Sequence, residues 1–201
     1  MSNEANSPTG AAEAAPANLP AFDPGVDHFA RLGLRPAIRL DREALEAAYL
    51  ERSRTTHPDR FATAAPSLRR LAMEHASAVN EAYRTLRDGV RRAEYVVKLG
   101  GIDLDSSDPE RGAPHPDQSF LMEMIERREA LDDARDEGED ALEDLRDAVE
   151  DERDAEVEAA MAALERDDVK SAARRLVTAR YLARYLEEIA ISLGEDEGEG
   201  A

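Results

Sequence analysis

At 201 residues the chain is long enough for one domain of ordinary size or two small ones. It is 42% hydrophobic yet only 4% aromatic, has no Trp and is 35% charged, which favours helices with thin cores. Lys+Arg 26 against Asp+Glu 45 gives a formal net charge of -19 that repels phosphate backbones and argues against a nucleic-acid partner, and the lack of Cys excludes disulfides and thiolate metal sites.

Residues 1–24 read as a disordered extension. The first 21 are rich in Ala, Pro, Asn and Ser and carry Glu4 and Glu13 but no Arg or Lys, unlike the basic start of a signal or transit peptide. No apolar run approaches the roughly 20 residues that span a bilayer, so no membrane contact and a cytoplasmic location are expected.

A short helix is predicted around Asp27 to Leu34, with Gly33 as its stop. Asp41 then reads as an N-cap, with Leu40 and Leu45 placed for a hydrophobic staple, and Leu45, Ala48 and Tyr49 are spaced to face a partner helix. Proline lacks an amide hydrogen and disfavours the α conformation before it, so Pro58 must end that helix near Thr56. The run His57-Pro58-Asp59-Arg60-Phe61 therefore leaves an imidazole and a carboxylate on an exposed loop bracketed by Arg54 and Arg60. Such a tip suits docking onto another protein's charges better than chemistry of its own.

After a loop from Ala62 to Pro66, a long helix carries Leu71, His75, Ala78, Val79, Ala82, Tyr83 and Leu86 on one face, with His75 read as a packed core histidine. Two antiparallel helices with a charged loop at one end make residues 25–102 a small all-α domain. Asp103-Leu104-Asp105-Ser106-Ser107-Asp108-Pro109, then Gly112, Pro114 and Pro116, reads as a linker over 103–116. Charge also shifts there: residues 1–112 hold 15 basic and 17 acidic side chains, net -2, and residues 113–201 hold 11 and 28, net -17.

Three helices are predicted in a second domain over 117–193, so the fold class is all-α throughout. The first runs from about Gln118 to Glu137, with Phe120, Leu121, Met124, Ile125 and Leu131 on its apolar stripe. The second runs from about Ala141 to Glu165 through Leu142, Leu145, Val149, Val157, Met161 and Leu164. The third runs from about Val169 to Leu193 through Ala172, Ala173, Leu176, Ala183, Leu186, Ala190 and Leu193. Gly138 and Asp167-Asp168 supply the breaks, and connections this short make neighbours antiparallel. The acidic stretch Asp132 to Asp154 reads as a solvated helix face, and residues 194–201 as an acidic, mobile tail.

Catalysis finds little support. The histidines are His28, His57, His75 and His115, with no ligand pair at i,i+4, no His-x-His and no Gly-rich phosphate loop or nucleophile elbow. No catalytic, cofactor or metal residue is expected.

Tyr49, Arg54, His57-Pro58-Asp59 and the helix with Asn80, Tyr83 and Leu86 resemble a J domain, the helical hairpin of DnaJ-type co-chaperones. The run Ala78 to Leu86, then Arg92-Ala93-Glu94-Tyr95 and Leu99, is similar to the iron–sulfur co-chaperone family HscB, as is Phe120 to Glu129. The similarity covers roughly residues 27–193 in one order and extends to that family's C-terminal oligomerisation and scaffold-binding domain. A second triplet, His115-Pro116-Asp117, has no basic helix before it and reads as coincidence, with Asp117 a cap for the next helix.

The resemblance implies a non-enzymatic co-chaperone whose J domain stimulates ATP hydrolysis by an HscA/DnaK-type chaperone while its bundle holds an IscU-type scaffold. Arg54, His57, Pro58 and Asp59 would dock on the chaperone. Leu121, Met122, Ile125 and Tyr181 would form the scaffold-binding patch, with Glu126, Arg128 and Glu129 at its edge. Met122 falls off the stripe of Phe120, Met124 and Leu131, and Tyr181 is expected to project beside Val177. Filling of the bundle core is the alternative for these residues, and a general DnaJ-type co-chaperone with another client is the alternative function. Two features depart from the family pattern: residues 42–56 carry no net charge, so steering toward the chaperone would be weaker or confined to the Arg52–Arg60 end, and the N-terminal cysteine metal site of some members is absent.

Overall fold

The computed structural model describes residues 19–116 and 118–194, which form seven α-helices and one 3-10 turn. Contacts divide the described chain into two compact units, 19–36 with 41–87 and 37–40 with 88–194.

The first unit opens with α1 (His28–Leu32). The Asp27 side chain accepts from the Ala30 amide at 2.9 Å, and Gly33 closes the helix at φ 76. The left-handed backbone at Gly33 is what calls for glycine here, since the Arg52 guanidinium that a Cβ would approach is a flexible side-chain end. Next comes α2 (Arg42–Thr56), capped by Asp41, whose carboxylate accepts from the Glu43 and Ala44 amides. It ends where expected, with His57 forced to φ -58, ψ 127 ahead of Pro58. The 3-10 turn Pro58–Phe61 leads to α3 (Pro66–Arg87), which begins on a proline whose missing amide hydrogen costs nothing at a helix start.

Helix α3 packs against both α1 and α2. Phe29, Leu32, Leu45, Phe61, Ala72, Val79, Ala82 and Leu86 are buried in this unit. Tyr49 and Tyr83 stack with ring centres 4.1 Å apart, their hydroxyls donating to Asn80 (3.0 Å) and to Glu46. Part of the expected N-terminal extension is ordered: Phe22 meets the His75 ring edge-on at 5.4 Å, and the Pro20 carbonyl lies 3.0 Å from His75 Nε2. His75 is thus half-buried beneath this segment rather than enclosed in a core. Residues 1–18 of that extension lie outside the described residues.

The second unit contains α4 (Gly89–Leu99), α5 (Gln118–Glu137), α6 (Glu139–Leu164) and α7 (Val169–Leu193). Helices α6 and α7 form a long hairpin turned at Asp167 (φ 59) and restarted by Asp168, whose carboxylate accepts from the Ser171 amide at 3.0 Å. Gly138, at φ 114, makes the α5–α6 turn. One core layer gathers Leu131, Leu142, Val149, Leu182, Tyr185 and Ile189. A second gathers Ile38, Ala93, Val97, Leu104, Ala160, Leu164, Ala173 and Leu176.

This second layer changes the expected boundaries. Helix α4 was assigned to a domain over 25–102 and 103–116 to a linker, yet Ala93, Val97 and Leu104 are buried with α6 and α7 side chains. The 103–116 stretch is a folded loop. The Asp103 amide donates to the Arg111 carbonyl at 2.6 Å, and the Gly112 amide donates to that of Asp108 at 2.7 Å. A Cβ on Gly112 would come within 2.3 Å of the Ser106 carbonyl oxygen, which only glycine avoids. Of the acidic tail expected over 194–201, residues 195–201 lie outside the described residues, while Gly194 caps α7 at φ 79.

Candidate functional site

Two surfaces carry the residues singled out in the sequence, one in each unit. The first is the tip between α2 and α3. His57 caps the 3-10 turn, the Asp59 amide donating to its Nδ1 at 3.3 Å, and Asp59 Oδ2 lies 3.6 Å from the same nitrogen. The Asp59 side chain is 90% exposed. Below it Phe61 is fully buried, and Thr56 is buried with its hydroxyl donating to the Arg52 carbonyl at 2.9 Å. Arg60 Nη1 donates to the Arg54 carbonyl at 3.1 Å, so a cation sits on the carbonyl end of α2 where the helix dipole favours it. Arg54 itself points to solvent. The exposed loop is thereby a braced tip with an exposed acid.

The second surface is on α5 and α7. Leu121, Met122 and Ile125 are 49%, 52% and 57% exposed, three large apolar side chains on consecutive turns facing away from the bundle. Glu126, Arg128 and Glu129 are exposed beside them. The side of α5 turned inward is Leu131 and Ala134, with Phe120, Met124 and Arg127 half-buried. Leu121 and Ile125 therefore leave the apolar stripe first drawn for this helix, and the core-filling alternative fails for them. Tyr181 differs from its expected placement. It is half-buried, meets Phe120 edge-to-face at 5.3 Å and packs on the core that contains Val177, itself buried. Asp117 lies outside the described residues, as does the cap expected of it.

Two arginines that sequence reasoning passed over organise this unit. Arg180 donates to Glu94 (2.6 Å), the Leu104 carbonyl (3.0 Å) and Asp105 (2.9 Å), tying α4 and the 103–116 loop to α7. The Glu94 hydrogen bond leads the effects that hold its guanidinium above its usual pKa. Arg127 grips both carboxylate oxygens of Glu152 at 2.6 Å, while its carbonyl accepts from the Tyr185 hydroxyl. Burial is the main reason the Tyr185 phenol titrates above its ordinary range. These contacts join residues up to 86 positions apart, which no local pattern announces.

Among the described residues no group of three or more His, Asp or Glu side chains could hold a metal ion. No helix is long and apolar enough to cross a membrane, again among the described residues.

A braced His-Pro-Asp tip on a helical hairpin, carried with a second helical unit, defines a J-domain protein. Comparison with known proteins narrows the class. The family model of the HSCB C-terminal oligomerisation domain matches residues 116–190. A co-chaperone protein HscB homolog of Bordetella petrii is 35% identical over 164 residues, 82% of this chain and 94% of its own length. One from Cupriavidus taiwanensis is 40% identical over 138 residues, 69% of this chain and 76% of its own. The crystal structure of human co-chaperone protein HscB is similar at TM-score 0.71 and 30% identity, over 85% of this chain and 84% of that one. Chaperone HscB from Vibrio cholerae gives 0.67 at 28%, over 83% and 96%. The chain belongs to the HscB co-chaperone family.

Proposed function

We propose that this chain is a co-chaperone of iron–sulfur cluster assembly that docks through Arg54, His57, Pro58 and Asp59 on an HscA/DnaK-type ATPase and carries an IscU-type scaffold on α5. The unit of 19–36 with 41–87 acts in this reading as the J domain, and the unit of 37–40 with 88–194 carries the scaffold-binding surface. Leu121, Met122 and Ile125 form the apolar centre of the scaffold contact, Tyr181 its anchor on α7, and Glu126, Arg128 and Glu129 its charged margin. The chain does no chemistry of its own and works in the cytoplasm.

The observation that carries this reading is the pairing of a braced tip, whose acid has no structural duty beyond its own turn, with three exposed apolar side chains in the other unit. Exposed aliphatics grouped in this way mark a protein-binding surface rather than chance. The test is a single-turnover ATPase assay of the cognate chaperone with this chain, with and without scaffold. Stimulation by the chain that rises further when scaffold is present is the expected result. Stimulation indifferent to the scaffold, with equal binding of an unrelated unfolded peptide, would instead identify a general DnaJ-type co-chaperone.

A further inference from the structure

Beside Tyr181, within the second unit, lies a cavity of about 300 Å³ walled by the 103–116 loop on one side and α7 on the other. That volume is at the lower end for pockets that enclose a ligand group. Leu104, Ala113, Pro114, Val177 and the Tyr181 ring supply apolar walls. The rim is charged. Asp105 is taken by Arg180, and Asp108 Oδ1 accepts from the Glu110 and Arg111 amides at 2.8 and 3.0 Å. Arg184, one turn beyond Arg180, is exposed and makes no ion pair among the described residues. The Tyr181 hydroxyl likewise has no hydrogen-bond partner among them. In a half of the molecule with a net charge of -17, the mouth of this cavity thus presents a cation with no ion pair and a hydroxyl with no hydrogen-bond partner among the described residues.

The walls are held rather than merely adjacent. Arg180 fixes the Leu104 carbonyl and Asp105 to α7, and the Ala113 amide donates to the Ser106 carbonyl at 3.3 Å. Tyr181 is shared with the candidate scaffold patch through its edge-on contact with Phe120, which immediately precedes Leu121 and Met122 on α5. An occupant of the cavity would therefore continue onto the apolar trio.

We propose that this cavity is a second anchor point for the scaffold protein, seating one apolar side chain of the partner while a neighbouring carboxylate of the same partner pairs with Arg184. The inference rests on the scaffold-binding reading and deepens it. The α5 side of the surface is mixed in charge, with Glu126, Arg128 and Glu129 exposed, whereas the α7 side at the cavity mouth carries Arg184, which makes no ion pair among the described residues. A partner that brings an acid to the α7 margin fits, and one that brings a cation there meets like charge at Arg184.

Calorimetric titration of the full chain with the IscU-type scaffold of the same organism tests this with four variants. Arg184→Glu should weaken binding by about tenfold or more and flatten the salt dependence of affinity, whereas Arg184→Lys should stay within about threefold. Ala113→Leu, which fills the cavity, should weaken binding by about tenfold; should it misfold, the surface variant Arg184→Glu decides alone. Met122→Ala reports on the central patch. If Met122→Ala weakens binding while Arg184→Glu and a folded Ala113→Leu do not, the cavity is no anchor and the parent reading survives. Weakening by Arg184→Glu without any effect of Met122→Ala keeps the cavity and removes the trio. If the unaltered chain fails to bind scaffold, both readings fall together.

Discussion

Arg60 reaches back across the proline break to donate to the carbonyl of Arg54 at 3.1 Å, so the residue following the acidic tip closes the helix preceding it. Together with the buried ring of Phe61 and the His57 cap, this holds the tip from both ends. The acid between them is left 90% exposed. Stiffness and exposure are what a docking element needs, since ordering costs are met before the partner arrives.

Asp59→Ala should abolish stimulation of the chaperone's ATPase while leaving helicity and melting temperature near those of the parent chain. The side chain touches only its own turn, and exposed substitutions of this kind shift stability by about 0.5 kcal/mol or less. Single-turnover ATPase measurements beside a thermal melt check it. Retained stimulation would remove Asp59 from the docking role.

Arg60→Met separates bracing from contact. Losing one hydrogen bond at a helix end should cost about 1 kcal/mol of stability. The concentration of co-chaperone giving half-maximal stimulation should rise, because more of the tip's conformers are unproductive, with the plateau unchanged. A lowered plateau in the ATPase titration would instead mean that the Arg60 guanidinium touches the chaperone.

Much of this was legible in the sequence because it is local. Pro58 dictates where α2 stops, and Asp41 announces a helix start through a cap made within three residues, while the caps made by Asp27 and Asp168 were not read from the sequence. The helix boundaries at Gln118–Glu137 and Val169–Leu193 follow from apolar periodicity and the breaks at Gly138 and Asp167-Asp168. What escaped depends on distant partners. Leu104 sits among Asp, Ser and Pro and reads as linker, yet joins a core supplied by helices dozens of residues later. Phe22 reads as tail but finds the His75 ring. Tyr181 was expected to stand clear, but Phe120 and the 103–116 loop half-cover it. Outward placement of Met122 was legible from periodicity, whereas the shared stripe assigned to Leu121 and Ile125 left their direction open until the helix rotation was known.

Core and surface of the second unit should respond oppositely to truncation. Leu182 is fully buried between the α5, α6 and α7 side chains of its layer, so Leu182→Ala should destabilise by about 2–5 kcal/mol through lost transfer energy and a cavity. Met122, half-exposed, should cost little stability as Met122→Ala but weaken scaffold binding by about 1–3 kcal/mol. Urea unfolding and titration calorimetry on the same two proteins check both arms. A Met122→Ala chain that loses stability and keeps its affinity would return that residue to a structural role.

Acid should loosen the first unit before it touches most carboxylates. Burial is the largest influence on His28 and lowers its pKa below the ordinary value of 6.5, Glu81 partly opposing it. An unfolded chain then takes up its proton first, so between the unfolded and folded pKa values the unfolded state holds more protons and stability falls as pH falls. The contribution is intact above about pH 6.5 and drains away as the pH drops through the folded value. Asp103 and Glu158 work at lower pH. Their pKa values are depressed chiefly by hydrogen bonds from Lys98 and Arg39, so their support is present above the ordinary carboxylate range and is lost as pH falls below about 4. Glu158 is exposed and Asp103 about a third exposed, so salt screens both, and they belong to the other unit. Melting curves followed through the near-ultraviolet signal of the stacked Tyr49 and Tyr83 should therefore move to lower temperature between pH 7 and 5, and His28→Gln should flatten that slope. An identical slope in the variant would show that another group carries the proton.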